Sequence, residues 1–435
     1  MSGDLADRAD PLAIEPLARP LTGTARIPGS KSITNRALVC AALADGTSTL
    51  DGVLFADDTE AMIDCLQRLG IGIDVDRPAS RVRLTGAAGV LPAATASLDA
   101  RQSGTTARFV APMLALGVGP YRLDGDEQLR GRPMGPGLRA LAELGATMVE
   151  ENQPGHLPVA IGAGYAIGGE SRVPADLSSQ FASGLLLVGP CLAQGLVIRL
   201  DEAVVSRSYL DMTVAVMQRF GAVVEHPDDR TFVVASTGYR PTDYAIEPDA
   251  SAASYFFAAA AITGGRVRVD GLGTDSLQGD LAFVDVLEQM GAEVGRGSDF
   301  TEVRGTGVLH GVAVDMSDLS DTAQTLAAVA VFADSPTEVT GIGFIRRKET
   351  DRIAAVVTEL GRCGIDVTET DDGFRIVPGE PHPATIQTYD DHRMAMSFAL
   401  LGLRVPGIQI ADPGCVAKTF PGYWDEFDRL RGEDD

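Results

Sequence analysis

Five segments of the chain share one hydrophobic pattern, in which a helix with one apolar face ends at a glycine and a β-branched stretch follows. The glycines are Gly70, Gly145, Gly221, Gly291 and Gly364, at intervals of about 75 residues. A glycine in this position is typical of a left-handed C-terminal helix cap. A sixth amphipathic segment, YWDEFDRLRG, follows at a similar distance. The pattern predicts six copies of one α/β unit.

Six units of this length predict two domains of three units each. The break is expected in the segment IEPDASAASYFF, because Pro248 interrupts the pattern immediately before a new apolar helix.

Composition and charge restrict the possible partners. With 45% hydrophobic and 22% charged residues, the chain can bury a large core. A formal net charge of -24 argues against nucleic acid or an anionic membrane as partner, although small anions remain possible. The five cysteines are widely spaced and form no CxxC motif, which argues against a disulfide framework or a zinc site. Neither a signal peptide nor a membrane span is expected, so we predict a cytoplasmic protein.

The chain contains only three lysines, and each lies in a polar cluster: Lys31 in PGSKSITNRA, Lys348 in RRKETDR and Lys418 in AKTFPGYW. Selection for arginine could remove lysine from a surface, but it would not by itself leave the survivors in motifs. We therefore expect that a compact ammonium is needed at these points, in an active site. The alternative is chance survival of three surface lysines.

Polar residues also mark the predicted starts of several apolar helices. Lys31, Ser32 and Arg36 are expected near a helix N-terminus, where free backbone N–H groups and the helix dipole favour phosphate. The motif is not a phosphate-binding P-loop, because Ser30 separates the lysine from the preceding glycine. Similar starts are expected in DARQSGTTARF and ADLSSQFASG. Each could equally be an N-cap that only stabilises its helix.

Two further motifs combine acids and bases. Lys348, Glu349 and Arg352 are expected on the opening turn of a helix, where the alternative is a surface salt-bridge face. Asp321 is expected at another helix start, and His392 with Arg393 before an apolar helix. Asp321 and Glu349 could supply the acid and base of a proton transfer while the cations hold an anionic substrate.

Eight of these motifs carry a family resemblance. In chain order they are PGSKSITNRA, GTTARF, the arginine of GRPM, SSQF, the serine and tyrosine of SRSYLD, KETDR, DHRMAM and AKTFP. The chain thus resembles 5-enolpyruvylshikimate-3-phosphate synthases, of the enolpyruvyl transferase family, from about Leu21 to Trp424. The resemblance implies a two-domain inside-out α/β barrel of six βαβαββ-type units. One domain would comprise residues 28–247, and the other residues 1–27 together with 248–435.

The resemblance also implies a reaction and a site. The enolpyruvyl group of phosphoenolpyruvate would pass to the 5-hydroxyl of shikimate 3-phosphate, with release of phosphate, on the route to chorismate and aromatic amino acids. No cofactor and no metal are implied, and we expect a monomer. The residues implied for shikimate 3-phosphate are Ser32, Arg36, Ser178, Ser179, Ser206, Tyr209, Asp321 and Lys348. Those implied for phosphoenolpyruvate, whose site glyphosate occupies in this family, are Lys31, Gly104, Arg132, Gln180, Arg352, Arg393 and Lys418.

Four residues are implied in catalysis. Asp321 would help to deprotonate the attacking hydroxyl, and Glu349 would help to protonate the methylene carbon. Lys348 would lie between the substrates, and Lys31 completes the catalytic set.

Three positions depart from the family pattern. Gln102 and Phe344 stand where asparagine is common, and Ser208 stands where proline is common. Two other functions remain open: a UDP-N-acetylglucosamine enolpyruvyl transferase, and a non-catalytic phosphometabolite-binding protein on the same scaffold. The UDP-N-acetylglucosamine transferases usually carry a lysine followed by an asparagine in the first motif, whereas Ser32 follows Lys31 here. They also usually carry a cysteine in a mobile loop, and the segment YRLDGDEQLRGRP of this chain contains none. The second would gain nothing from two added acids at an anion site.

Overall fold

The computed structural model describes residues 8–162, 168–174, 178–201 and 205–432. The chain forms two compact units, one of residues 29–247 and one of residues 1–28 together with 248–435. Each unit is described below by itself.

The helices fall into an inner and an outer set. The inner helices are α1 (Lys31–Leu43), α3 (Gly104–Leu114), α6 (Ser179–Val188), α8 (Ala250–Thr263), α10 (Ala323–Ala330) and α12 (His392–Gly402). The outer helices are α2 (Asp57–Arg68), α5 (Gly135–Glu143), α7 (Arg207–Arg219), α9 (Phe283–Gln289), α11 (Arg352–Arg362) and α13 (Tyr423–Gly432), and a single short turn forms α4 (Glu127–Arg130).

The strands are short. In the first half of the chain they are β1 (Leu12–Ala13), β2 (Thr22–Thr24), β3 (Thr47–Asp51), β4 (Gly72–Asp76), β5 (Arg81–Thr85), β6 (Ala96–Asp99), β7 (Tyr121–Asp124), β8 (Thr147–Glu150), β9 (Val159–Gly162), β10 (Gly169–Val173), β11 (Leu196–Leu200), β12 (Val224–Asp228), β13 (Thr231–Val234) and β14 (Asp243–Ala245). In the second half they are β15 (Arg266–Asp270), β16 (Glu293–Arg296), β17 (Phe300–Arg304), β18 (Ala313–Asp315), β19 (Thr337–Thr340), β20 (Asp366–Thr370), β21 (Gly373–Val377), β22 (Thr385–Ile386) and β23 (Gln409–Ile410).

Five four-stranded sheets share one topology. The first strand in the sheet is an edge strand parallel to the second, the third strand is antiparallel to the second, and the fourth is antiparallel to the third. The orders are β14-β3-β5-β4, β6-β7-β9-β8 and β10-β11-β13-β12 in residues 29–247, and β2-β15-β17-β16 and β18-β19-β21-β20 in the other unit. Along the chain this is a βαβαββ unit. The sixth sheet is smaller, with three two-residue strands in the order β1-β23-β22, and β1 comes from the N-terminal segment.

Two edge strands are exchanged between the units. Strand β2 precedes α1 in the chain but pairs with β15, with Thr22 opposite Arg266. Strand β14 precedes α8 but pairs with β3, with Asp243 opposite Thr49. The chain therefore passes twice from one unit to the other, once near residue 28 and once near residue 247.

The inner helices form the core of each unit. Almost every residue of α3, α8 and α12 is buried, whereas the strands expose one face, as the alternating burial of β5 shows. In the second unit the inner helices are joined by hydroxyls: Ser254 Oγ lies 3.1 Å from Thr325 Oγ1, which lies 3.3 Å from Ser397 Oγ. Helices inside and sheets outside confirm the inside-out α/β fold.

The predicted glycine caps are also confirmed. All five glycines that follow the outer helices α2, α5, α7, α9 and α11 have φ between +80° and +107°. A side chain is strained in that conformation, which explains why glycine recurs there. Among the described residues, no helix has the length and apolar character that crossing a membrane requires.

Candidate active site

Within residues 29–247, the inner helices α1, α3 and α6 begin at the polar motifs. The hydroxyls of Ser30, Ser103 and Ser178 each accept a hydrogen bond from a backbone N–H of the first turn, at 3.4, 3.1 and 3.3 Å. The capping interpretation is therefore correct. It does not exclude ligand binding, since one cap leaves other first-turn N–H groups without a helical partner.

Arg36 is a buried cation one turn into α1, with 1% of its surface exposed. Its Nε donates to Thr213 Oγ1 at 2.7 Å, and its Nη1 donates to the Ser32 carbonyl at 2.9 Å. Its Nη2 reaches the Tyr209 carbonyl at 3.2 Å and Ser183 Oγ at 3.5 Å. No described carboxylate forms an ion pair with it, and burial lowers the pKa of Arg36 to about 10. The structure thus brings three residues of the predicted shikimate 3-phosphate set, Ser32, Arg36 and Tyr209, into contact.

Lys31 is the first residue of α1 and is mostly buried. Its Nζ lies 3.1 Å from Asp58 Oδ2 in the first turn of α2, where the Asp58 side chain is only 4% exposed. The Asp58 carbonyl also accepts a hydrogen bond from Thr106 of α3 at 3.0 Å. Asp58 therefore connects the starts of two inner helices. Sequence reasoning missed it, because acids are common in the first turn of any helix.

Gly104 and Arg132 are in close contact. A Cβ atom on Gly104 would lie 2.9 Å from Arg132 Cζ and 3.0 Å from both terminal nitrogens. Arg132 follows α4 in the chain and is 7% exposed. A side chain at residue 104 would therefore require the Arg132 guanidinium to move.

Gln180, in the first turn of α6, is fixed by two partners. Its Oε1 accepts from Arg108 Nη1 at 2.7 Å, and its Nε2 donates to Thr105 Oγ1 at 3.0 Å. The Arg108 guanidinium also lies 4.8 Å above the Phe181 ring. These contacts tie the starts of α3 and α6 together.

The other predicted residues of this unit lie at helix starts. Ser178 and Ser179 begin α6 and are nearly buried. Ser206 has a left-handed conformation, with φ 56° and ψ 50°, directly before α7, which carries Tyr209 in its first turn. Neighbouring residues 175–177 and 202–204 lie outside the described part of the chain.

The second unit concentrates charge around Arg352, whose side chain is 2% exposed. Its Nε donates to Asp391 Oδ2 at 2.7 Å, its Nη1 to Asp321 Oδ1 at 3.2 Å and its Nη2 to Glu349 Oε2 at 2.8 Å. Burial alone lowers the arginine pKa, but the three carboxylates outweigh it and raise the pKa above its usual value. The surface salt-bridge interpretation is therefore wrong, because this guanidinium is buried.

Arg393, the second residue of α12, joins the same group. Its Nη2 donates to Asp321 Oδ2 at 2.6 Å, and its Nη1 donates to the Tyr255 hydroxyl at 3.3 Å. Its backbone N–H is held by Asp391 Oδ1 at 2.9 Å, so that Asp391 caps the helix. Asp321 thus lies between two arginines, as Oδ1 faces Arg352 and Oδ2 faces Arg393.

Lys418 completes this group from the 3₁₀ turn Pro413–Lys418. Its Nζ lies 3.3 Å from Glu349 Oε1, and Lys418 is 4% exposed. We call these six residues the Arg352 cluster: Asp321, Glu349, Arg352, Asp391, Arg393 and Lys418. It holds three cations and three carboxylates, so each acid has at least one cationic partner.

The predicted helical turn at Lys348 is wrong. Lys348 and Glu349 lie between the 3₁₀ turn Gly343–Arg347 and α11, which begins at Arg352. The reason is Asp351, which caps the helix by accepting the Ala354 N–H at 3.0 Å and so excludes the preceding residues. The Lys348 ammonium lies 5.9 Å from the ring of Phe344, one of the positions that departs from the family pattern.

Comparisons with known proteins identify the family. The sequence pattern of the family described as EPSP synthase (3-phosphoshikimate 1-carboxyvinyltransferase) matches residues 17–427. The 3-phosphoshikimate 1-carboxyvinyltransferase of Trichormus variabilis is 48% identical over 425 residues, which cover 98% of this chain and 100% of that one. The enzyme of that name from Serratia proteamaculans is 41% identical over 97% of this chain and 99% of its own.

Solved structures lead to the same family. The structure of EPSP synthase from Acinetobacter baumannii superimposes with a TM-score of 0.81 at 27% identity, and the match covers 96% of this chain and 97% of that one. This chain therefore belongs to the EPSP synthase family.

Proposed function

We propose that this protein transfers the enolpyruvyl group of phosphoenolpyruvate to the 5-hydroxyl of shikimate 3-phosphate and releases phosphate. The observation that carries the proposal, beside family membership, is the Arg352 cluster. In it, two acids with different neighbours, Asp321 and Glu349, are held by one buried guanidinium. An anion-binding protein would need the cations alone, whereas two acids suit a reaction that moves protons.

The proposed reaction is an addition followed by an elimination. The hydroxyl oxygen bonds to C2 of phosphoenolpyruvate, the hydroxyl proton leaves with the help of Asp321, and Glu349 delivers a proton to C3. The tetrahedral intermediate then loses phosphate from C2 and a proton from C3, which restores the double bond. Atoms and charges balance without a metal or a redox cofactor. Groups that bind the intermediate better than the substrates lower the barrier.

The Arg352 cluster suggests how Glu349 gains its proton. Both of its oxygens face cations, Arg352 at 2.8 Å and Lys418 at 3.3 Å, and such neighbours favour a charged carboxylate. The carboxylate and phosphate of phosphoenolpyruvate need the same donors. When the substrate takes them, Glu349 loses its cationic partners and its affinity for a proton rises.

The proposed substrate residues are those that the family resemblance implies. Shikimate 3-phosphate would be held by Ser32, Arg36, Ser178, Ser179, Ser206, Tyr209, Asp321 and Lys348. Phosphoenolpyruvate would be held by Lys31, Gly104, Arg132, Gln180, Arg352, Arg393 and Lys418. In support, Arg36 is buried and lacks an ion pair within the described residues, so an anion nearby would compensate its charge. We propose that residues 28–247 form one domain and that residues 1–27 and 248–435 together form the other. We also propose that the protein is a monomer and is located in the cytoplasm.

A phosphate-release assay tests this function. Release should require both shikimate 3-phosphate and phosphoenolpyruvate, and neither alone should suffice. Release with UDP-N-acetylglucosamine in place of shikimate 3-phosphate would instead favour the related transferase. Binding of both ligands without release would favour a non-catalytic protein.

A further inference from the structure

Glu359 is a buried carboxylate outside the Arg352 cluster. It lies on α11 and is 0% exposed, although a buried glutamate is costly unless it is fully partnered. Its Oε1 accepts from the Tyr389 hydroxyl at 2.6 Å, and its Oε2 accepts from the Gln387 backbone N–H at 3.0 Å. The half-exposed Arg362 adds an ion pair at 3.1 Å. Two of the three partners thus belong to one segment, residues 387–389.

That segment has an unfavourable backbone. Tyr389 and Asp390 are consecutive residues with φ of 56° and 55°, in the left-handed region. For residues with a side chain this conformation is unfavourable, so surrounding contacts must hold it. The bond from the Tyr389 hydroxyl to Glu359 is such a contact. Burial, together with that bond, raises the pKa of Tyr389 to about 12, so the phenol remains a donor at neutral pH.

The strained turn leads directly into Asp391. Asp391 is 0% exposed and holds Arg352 through two nitrogens, at 2.7 and 3.3 Å. It also caps α12 through the N–H of Arg393. The conformation at residues 389–390 therefore decides where the Asp391 carboxylate lies, and with it the two arginines.

Helix α11 contacts this segment at two points. Arg352 at its start binds Asp391, and Glu359, seven residues later, binds Tyr389. Seven residues are almost two helical turns, so both side chains lie on the same face, about 10 Å apart along the axis. The helix thus holds the turn at both ends.

We propose that Glu359 is a positioning residue: through Tyr389 it fixes the left-handed turn that orients Asp391, and thereby Arg352 and Arg393, for phosphoenolpyruvate. The inference rests on the proposed function of those two arginines. Glu359 itself touches no substrate. Its effect should fall on phosphoenolpyruvate, because both arginines that Asp391 contacts, Arg352 and Arg393, are assigned to that substrate.

The test compares Tyr389→Phe and Glu359→Gln with Tyr121→Phe. Tyr121 is the control, since its hydroxyl donates to the Ala93 carbonyl at the same 2.6 Å, in the other unit. The Tyr121 side chain is buried, whereas Tyr389 is 40% exposed, so the control variant should lose at least as much stability. All three variants should lose some thermal stability. We expect Tyr389→Phe and Glu359→Gln to raise the KM for phosphoenolpyruvate by roughly three- to tenfold, as for one lost hydrogen bond to a carboxylate. Their dissociation constant for shikimate 3-phosphate should change less than twofold, and Tyr121→Phe should keep wild-type kinetics.

Two outcomes would overturn the inference. In one, Tyr389→Phe and Glu359→Gln lower the melting temperature as Tyr121→Phe does and leave the KM for phosphoenolpyruvate unchanged, which would make Glu359 purely structural. In the other, both substrates weaken equally in these variants, which would indicate general disorder rather than positioning. Failure of the proposed function is a separate result, since it would appear as wild-type protein that releases no phosphate.

Discussion

Lys418 Nζ lies 3.3 Å from Glu349 Oε1, and both side chains are almost completely buried. A buried ammonium beside the proposed acid can bind an anionic substrate and control the charge of its neighbour. Substitution of Lys418 therefore tests the prediction that the lysines are active-site residues.

We predict that Lys418→Ala lowers kcat/KM for phosphoenolpyruvate by about a hundredfold or more, because it removes a charged donor from a desolvated site. Lys31→Ala should act similarly. Arg304→Ala is the control, since Arg304 is 65% exposed and pairs at 3.4 Å with an equally exposed Glu293. Steady-state kinetics are the measurement. Near-normal activity in both lysine variants would indicate that these lysines have no role in the active site.

The two acids should affect the rate more than binding. Glu349→Gln and Asp321→Asn keep the shape of the side chain and remove its ability to exchange a proton. We expect kcat to fall by roughly 10²- to 10⁴-fold, because proton transfer is needed only on the way to the transition state. Calorimetric affinity for shikimate 3-phosphate should change little. Weakened binding at an unchanged maximal rate would contradict the assignment.

Gly104→Ala should weaken phosphoenolpyruvate and glyphosate together. The added methyl group would lie 2.9 Å from Arg132 Cζ, so the guanidinium must move. We expect inhibition constants for glyphosate, measured with saturating shikimate 3-phosphate, to rise at least tenfold. Gly361→Ala is the control, because a Cβ there meets nothing within 4 Å.

Wild-type protein should be sensitive to glyphosate, and phosphoenolpyruvate should relieve the inhibition. Inhibition that phosphoenolpyruvate cannot relieve would show that the proposed site is wrong.

Arg36 should reduce the stability of the protein without ligand, although it is proposed to bind shikimate 3-phosphate. Burial lowers its pKa to about 10, below the ordinary value of arginine, so the unfolded chain binds this proton more tightly than the folded one. Stability therefore rises with pH only from about 10 up to the ordinary arginine pKa, and the full cost is present at neutral pH. Arg36→Met should leave the melting temperature of the empty protein equal or higher, and remove the stabilisation by shikimate 3-phosphate. A large loss of stability without ligand would contradict this account.

Local patterns predicted much of the fold and part of the site. The glycines after the outer helices were found because a left-handed cap requires a specific residue type, and φ values such as 107° at Gly291 confirm it. The start of α11 was misplaced, because a run of charges hid the cap Asp351. Asp58 and Glu359 were missed, because their partners are far away in the sequence and only tertiary contacts identify them. Asp391 was detectable, since an aspartate before an apolar helix is a common cap.

Turnover in D₂O tests the central claim, that C3 of phosphoenolpyruvate is protonated in an addition and that elimination then removes a proton from the same carbon. The methyl group formed in D₂O contains two protons and one deuterium, and because the group rotates, loss of either proton leaves deuterium in that molecule of product. The account predicts vinylic deuterium in the product of the wild-type protein, measured by mass spectrometry after short incubation. Formation of product that contains no deuterium at C3 would contradict it.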